Sequence, residues 1–316
     1  MREIDKKLPK LVVILGPTAS GKTLWSLRLA QKYGAHVISA DSRQIYKKMT
    51  IGTGKEAGEW RAYAGGHDAY YAQGVPHFLM DIVDPGQSFT LAKFRDQAMK
   101  YAILIRQQGV RVLLVGGTGL YISTLVDNLH IPQVPPNKKL RRSLEEKSAP
   151  ELWRLLSQLD PDATAFVDQH NVRRLIRALE VCILTGEPFS KLRRRGEPVF
   201  DVLQIGIDLP REILYKQINE RVDRMMSQGL LAEVEALAHQ RYGWELPSMS
   251  GIGYRQFREY FAGQISLDIV VERLQQDTRR YARRQLTWFR RDPRIKWCRS
   301  YEEADTLIDN FYLLSS

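Results

Sequence analysis

The stretch GPTASGKT, residues 16–23, limits the fold of this chain more than any other. It satisfies G-x-x-x-x-G-K-[ST] at every defined position. It follows directly on KLVVIL (10–15), an apolar run that reads as a buried strand. Residues 22–33 after it read as a helix stopped near Gly34. Strand, glycine loop and helix together form a phosphate cradle. Gly16 and Gly21 permit the turn that points successive N–H groups inward, and Thr18, Ala19 and Ser20 complete the ring ahead of the helix N-terminus. Lys22 adds a point charge, and Thr23 offers a hydroxyl to a phosphate or to bound Mg²⁺. Such a loop requires an anion the size of a diphosphate. It does not by itself require a nucleotide.

The rest of the chain alternates in the same way. HVISAD (36–41), PHFLMDIVDP (76–85) and VRVLLVGG (110–117) read as further strands. Residues 89–109 and a segment from about Gly119 read as helices. Strands alternating with helices indicate an α/β fold with a parallel sheet, and the glycine loop after the first strand makes a P-loop NTPase-like core the natural reading. IPQVPPNKK (131–139) is proline-rich and reads as a linker. Residues 138–192 carry helical patterns, and 196–210 return to a strand. A helical insertion is therefore predicted over 134–197, splitting the core into 1–133 and 198–316. Helices are predicted over 211–240, 251–262 and 267–291, with a last short strand at 294–299 on the sheet edge.

Hydrophobic residues make up 44% of the 316, enough for a sizeable core and against global disorder. Lys and Arg number 47 against 36 Asp and Glu, a net charge of +11. That excess favours polyanionic partners. Cys182 and Cys298 form no metal-ligand spacing, so a disulfide framework or zinc module is not expected, and a reducing compartment is. Leu11–Leu15 is too short for a membrane or signal segment after the charged N-terminus. The expectation is a cytoplasmic protein with no membrane partner, and a monomer.

Two further strand ends face the same edge as the glycine loop. ADSRQIY (40–46) puts Asp41 where a general base would stand opposite the phosphates. Gln44, with one amide donor and one acceptor, suits an adenine edge. Asp41 and Ser42 equally suit a helix cap. VGGTGLY (115–121) is a glycine turn that brings Thr118 to the same mouth. The strand VRVLLV ends in Gly116-Gly117, where an Asp holding Mg²⁺ is usual; Asp41 or Asp81 are the remaining metal candidates. Asp81 equally reads as the start of a turn with Asp84-Pro85. Residues 272–296 hold nine Arg/Lys against three Asp/Glu. Arg280, Arg283 and Arg284 fall near one helix face, with Trp288 and Phe289 following, a combination that suits RNA through charge and stacking. A solvated helix face over core aromatics is the alternative.

GPTASGKT, DSRQIY and VGGTGLY, in this order and spacing, resemble the tRNA dimethylallyltransferases, also called tRNA isopentenyltransferases. NVRRLIRALEV (171–181), INERVDRMMSQGLLAEV (218–234), GIGYRQF (251–257) and RRQLTWFRRDPRIKW (283–297) agree, so the resemblance spans nearly the whole chain. It implies transfer of the dimethylallyl group from dimethylallyl diphosphate to N6 of the adenosine 3′-adjacent to the anticodon, with Mg²⁺ as cofactor. Gly16, Thr18, Ala19, Ser20, Gly21, Lys22 and Thr23 would then hold a diphosphate leaving group, joined by Arg221. Asp41 would accept the N6 proton, with Thr23 and Arg221 also catalytic. Asp41, Ser42, Arg43, Gln44 and Thr118 would contact the tRNA at the acceptor side. The insertion would grip the anticodon stem-loop through Arg173, Arg174, Leu175, Ile176 and Arg177, with Arg141 nearby; Arg283 and Arg284 would add to the grip. The ending implies the shorter, bacterial form, without a C-terminal zinc finger. Three other activities remain compatible with the loop: an adenylate isopentenyltransferase, a P-loop small-molecule kinase with Asp41 as base, and an RNA-binding NTPase.

Overall fold

Apolar residues on both faces of a strand demand cover on both sides, and the centre of this molecule supplies it. In the computed structural model, which describes residues 8–240 and 242–313, strand β1 (Lys10–Leu15) is flanked by β6 (Arg111–Gly116) and β7 (Asp201–Ile207), both parallel. The full sheet has eight strands in the order β3-β4-β5-β2-β6-β1-β7-β8. Strands β2 (Ala35–Ser39), β5 (Val75–Phe78) and β8 (Ile295–Cys298) are also parallel. Leu11 through Leu15 have no solvent exposure. The charged residues 1–7 fall outside the described residues.

The sheet's other edge is an antiparallel hairpin of β3 (Glu59–Tyr63) and β4 (His67–Ala72), added to β5. The periodicity gives no hint of it. EWRAY is exposed along almost its whole length, so its strand state comes from pairing with β4 and not from an apolar alternation. Helix α1 (Lys22–Tyr33) ends on Gly34 in the left-handed conformation. Helices α2 (Leu91–Gln107) and α3 (Gly119–Val126) connect the strands.

The predicted helix over 211–240 is two helices, α8 (Arg211–Ser227) and α9 (Leu230–His239). Gly229, at φ 98°, turns the chain between them. Over 251–262 only α10 (Arg258–Phe261) is α-helical, after a 3₁₀ turn at Arg255–Phe257. Helix α11 (Leu267–Phe289) is amphipathic, and the final helix α12 (Tyr301–Leu313) was not foreseen. It docks on α1 through Tyr33, whose hydroxyl bonds Asp305 and Asp309 at 2.8 Å each. No helix among the described residues is long and apolar enough to cross a membrane.

The chain divides into two units, Met1–Leu125 with Val199–Ser316, and Val126–Pro198. The second contains α4 (Lys138–Glu145), α5 (Ala149–Leu159), α6 (Val172–Thr185) and the short α7 (Phe189–Leu192). The proline-rich stretch belongs to it, since Asn137 N–H donates to Glu180 at 2.7 Å and Arg177 donates to the Pro132 carbonyl at 3.3 Å. Glu180 is fully buried and also receives Arg141 at 2.8 and 2.7 Å and Arg177 at 2.7 Å. Burial alone would raise its pKa. The bonds from Arg141, Asn137 and Arg177 outweigh that and hold the carboxyl at about 2, against an ordinary 4.5.

A carboxylate with a depressed pKa stabilises the fold above its unfolded value and loses that contribution as pH falls toward the folded one. The second unit should therefore lose stability between about pH 4.5 and 2. Glu180→Ala should cost about 3 kcal/mol, the low end for breaking a buried pair, because both arginines stay about a third exposed. Hydrogen exchange in the 172–185 peptides, compared at pH 6 and 3, measures both effects.

Candidate active site

Parallel pairing puts the C-terminal ends of β1, β2 and β6 on one edge. Leu15 pairs with Gly116, and Ser39 with Val115. The segments leaving these strands therefore meet. Thr118 N–H donates to the Ala40 carbonyl at 3.2 Å, and Ser42 N–H donates to Thr118 Oγ1 at 3.1 Å. Asp41 Oδ1 accepts from Arg43 N–H at 2.9 Å. That bond closes a turn on Asp41 and not a helix cap, because no helix follows. Thr118, Asp41, Ser42, Arg43 and Gln44 are thus brought together, as their spacing suggested.

The glycine loop lines the same cavity as Asp41, through Thr18, Lys22 and Thr23. Ala19, a residue with a β-carbon, sits at φ 61°, and Gly21 at φ 87°. The left-handed conformation at Ala19 is sterically costly, and strain of this kind persists where the surrounding structure holds the chain in a working shape. Ser20 Oγ is buried and, among the described residues, has no hydrogen-bond partner. A buried hydroxyl in a ring of inward-facing amides is a donor awaiting an anion.

Lys22 and Thr23 line a cavity of about 300 Å³ that Asp41, Ser42 and Gln44 also line. They also line a second, more open depression of about 920 Å³, so the loop is reached from two sides. Lys22 Nζ donates to the Pro17 carbonyl at 2.5 Å. Its remaining exposure is to these cavities, and burial lowers its pKa to about 8 against the opposing pull of Asp41, with Arg221 lowering it further. Arg221, on α8, borders both cavities. Burial weakens its hold on its proton, and Asp41 partly restores it. Its Nη2 donates to the Thr53 carbonyl at 3.3 Å. Gly54, at φ 58°, lies so close that a β-carbon there would overlap the guanidinium.

Three contributors carried no recognised signal. Gln285 spans the site: its Oε1 accepts from Thr18 N–H at 2.8 Å and its Nε2 donates to the Gly117 carbonyl at 2.7 Å. It is a polar residue in the buried stripe Ala282–Gln285–Phe289, and that break in the apolar pattern was the available clue. Tyr281 hydrogen-bonds Thr118. Burial and the Asp41 charge push its hydroxyl up to about 12. The loop Gly52–Thr53–Gly54 walls the cavity, and Gln44 Nε2 donates to the Gly54 carbonyl at 3.1 Å.

Other expected residues stand differently. Asp81 does not line the cavity. It is paired with the buried Lys55 at 2.5 Å, with Trp60 Nε1 at 3.3 Å from its other oxygen. Leu175 and Ile176 are 0% and 5% exposed, packed in the core of the second unit, so their side chains have no surface to offer RNA. Arg173 and Arg174 are exposed on the same helix. Arg141 and Arg177 are committed to Glu180. Arg283 and Arg284 are exposed, and with Arg280, Thr287, Trp288 and Arg291 they line a shallow basic depression. Phe289 faces the core at 2% exposure and cannot stack on a base. Arg193–Arg195 close the second unit through a bridge of Arg195 to Leu129.

The model of the IPP transferase family matches residues 44–292, and that of isopentenyl transferases residues 9–60. The chain belongs to the IPP transferase family. A tRNA dimethylallyltransferase of Herpetosiphon aurantiacus is 43% identical over 290 residues, 90% of this chain and 89% of the relative. One from Geobacter sulfurreducens is 42% identical over 313 residues, 96% and 97% of the two chains. Among solved structures, a tRNA isopentenylpyrophosphate transferase of Bacillus halodurans aligns with a TM-score of 0.68 at 36% identity, covering 96% of this chain and 95% of that one. A eukaryotic dimethylallyltransferase studied acting on tRNA aligns at 0.71 and 28% identity, covering 89% and 69%. The family match takes in the cavity residues from Gln44 through Arg221 to Gln285, and the isopentenyl transferase match takes in the glycine loop and Asp41.

Proposed function

We propose that this chain transfers the dimethylallyl group from dimethylallyl diphosphate to N6 of the adenosine 3′-adjacent to the anticodon of tRNA, on a P-loop NTPase-like core. One observation carries the reading: a single cavity is lined together by Lys22 of the phosphate loop, Arg221, Asp41 and Gln44. An adenine amine is a weak nucleophile, because its lone pair is delocalised into the ring. The allylic carbon reacts when its diphosphate can leave. Lys22, Arg221, Ser20 and the loop amides hold the charge that grows on that leaving group. The N6–carbon bond forms as the carbon–oxygen bond breaks, and Asp41 takes the proton N6 loses. Thr118, Gln44 and Tyr281 hold the base, which has left its stack.

Mg²⁺ suits this donor set. Thr23 offers a hydroxyl beside a site for diphosphate oxygens, the mixed protein-and-phosphate shell this ion takes, and Asp41 is left for the N6 proton. When bound, it would neutralise part of the leaving group's charge. Arg173 and Arg174 on α6, and Arg280, Arg283 and Arg284 on α11 with Arg291 just past its end, favour a polyanionic acceptor over free AMP.

Radiolabelled dimethylallyl diphosphate offered with Mg²⁺ to unmodified tRNA and to AMP tests the choice. Label is expected in tRNA; label in AMP alone would overturn the acceptor. The Lys22 charge gives a pH dependence. A lysine titrating near 8 loses its positive charge as pH rises through that value, so kcat/KM for dimethylallyl diphosphate should fall above about pH 8. Bound diphosphate raises the lysine again, so kcat at saturation should hold to higher pH. Initial rates between pH 6.5 and 9.5 measure both.

A further inference from the structure

The loop 50–54 touches both sides of the reaction cavity, yet nothing within it holds it there. Its Thr53 carbonyl accepts from Arg221 at 3.3 Å, and its Gly54 carbonyl accepts from Gln44 at 3.1 Å. Its first three amides are held from α9. Glu233 Oε2 accepts from Thr50 N–H at 2.8 Å and Ile51 N–H at 2.7 Å, and Oε1 accepts from Gly52 N–H at 3.0 Å and the Tyr254 hydroxyl at 2.7 Å. Three successive backbone amides turned toward one carboxylate form a nest, the arrangement that elsewhere binds a phosphate. Here a side chain of the protein occupies it. Tyr254, buried at 1% exposure, lies against Gly52, where a β-carbon would strike its ring. The loop is closed on itself by Gly54 N–H to the Ile51 carbonyl at 2.9 Å and Lys55 N–H to the Thr50 carbonyl at 3.0 Å. It therefore keeps one compact shape, anchored by Glu233 at its start and by Lys55, whose Nζ donates to the Tyr46 carbonyl at 2.7 Å and to Asp81 at 2.5 Å, just past its end.

We propose that Glu233 is a positioning residue for the transfer reaction, fixing loop 50–54 so that its carbonyls aim Arg221 at the diphosphate and Gln44 at the base. This rests on the reading of the site given above. Glu233 lines neither cavity and touches no substrate in that reading. Its effect is carried by the loop. Charge-assisted hydrogen bonds to backbone amides are the stronger class, and a carboxylate can satisfy all three at once. Glutamine at 233 can accept from two of these amides through its oxygen but turns an NH₂ toward the third. Alanine satisfies none.

The experiment compares Glu233→Ala and Glu233→Gln with Val234→Ala. Val234 is fully buried on the same helix and makes none of the hydrogen bonds to the loop amides, so its truncation lowers stability while leaving Glu233 in place. Calorimetry gives the affinity for inorganic pyrophosphate, and transfer to tRNA gives kcat and both KM values, all at a temperature where each variant is folded. Displacement of a reacting group by an ångström can cost about 100-fold. Glu233→Ala should lose roughly that in kcat/KM and weaken pyrophosphate about 10-fold, as Arg221 loses its aim. Glu233→Gln should fall between Ala and wild type, and Val234→Ala should keep both parameters within about two-fold while melting earlier. If the wild type transfers and Glu233→Ala and Glu233→Gln match Val234→Ala in kcat, KM and pyrophosphate affinity, Glu233 is merely structural and the proposal fails alone. If the wild type neither transfers nor binds pyrophosphate, the functional reading falls and takes this one with it.

Discussion

Asp41→Ala is expected to abolish prenyl transfer and to leave tRNA affinity within several-fold. The carboxylate sits at the end of β2, with one oxygen fixed by the Arg43 N–H and the other making no hydrogen bond among the described residues. A base held in this way contributes about 100- to 10,000-fold, and no other carboxylate lines that cavity. Asp41→Asn separates basicity from shape. It keeps an acceptor for the Arg43 amide, so the turn survives, yet it cannot take a proton at neutral pH. It should be nearly as slow as alanine. Single-turnover transfer and filter binding, run on the same preparations, measure the two quantities. A large loss of tRNA binding with transfer preserved would contradict the assignment of Asp41 as base.

Arg221→Ala should lower kcat by about 100- to 1,000-fold, the cost of deleting one donor aimed at developing charge in a water-poor site. The guanidinium is half-buried, borders both cavities and is seated against a glycine that leaves it room. Because the charge on the diphosphate grows as the carbon–oxygen bond breaks, the loss should fall more on kcat than on the KM for dimethylallyl diphosphate. Arg221→Lys should recover little, since an ammonium cannot reproduce the fork that reaches both Thr53 and a diphosphate. Steady-state rates over a range of dimethylallyl diphosphate concentration measure the split. A rise in KM with kcat intact would mean that Arg221 only recruits the substrate.

Much of this site was legible because its elements are local. A strand, a glycine loop and a helix are contiguous in residues 10–33, and the loop's conformation follows from nearby residues. Asp41 and Thr118 were legible for a related reason: parallel strands deliver their following residues to one edge. Gln285 and Glu233 were not, because each acts across more than 150 residues of sequence, and a single polar residue on a helix looks like surface until its partners are placed. The RRLIR stretch misled in the opposite way. Read as a run, its residues share a role; wound into a helix, Arg173 and Arg174 face solvent while Leu175 and Ile176 face the core. The β3–β4 hairpin escaped notice because an exposed edge strand needs no apolar alternation.

In the proposed reaction the phosphate loop holds a departing diphosphate and not the triphosphate of a nucleotide. The direct measurement is product stoichiometry with ATP absent: dimethylallyl diphosphate, Mg²⁺ and unmodified tRNA are incubated, pyrophosphate is quantified, and the nuclease digest is analysed by mass spectrometry. One pyrophosphate released for each N6-dimethylallyladenosine formed is the result expected. Modification that requires ATP, or phosphate released from ATP with no prenylated adenosine, would contradict it.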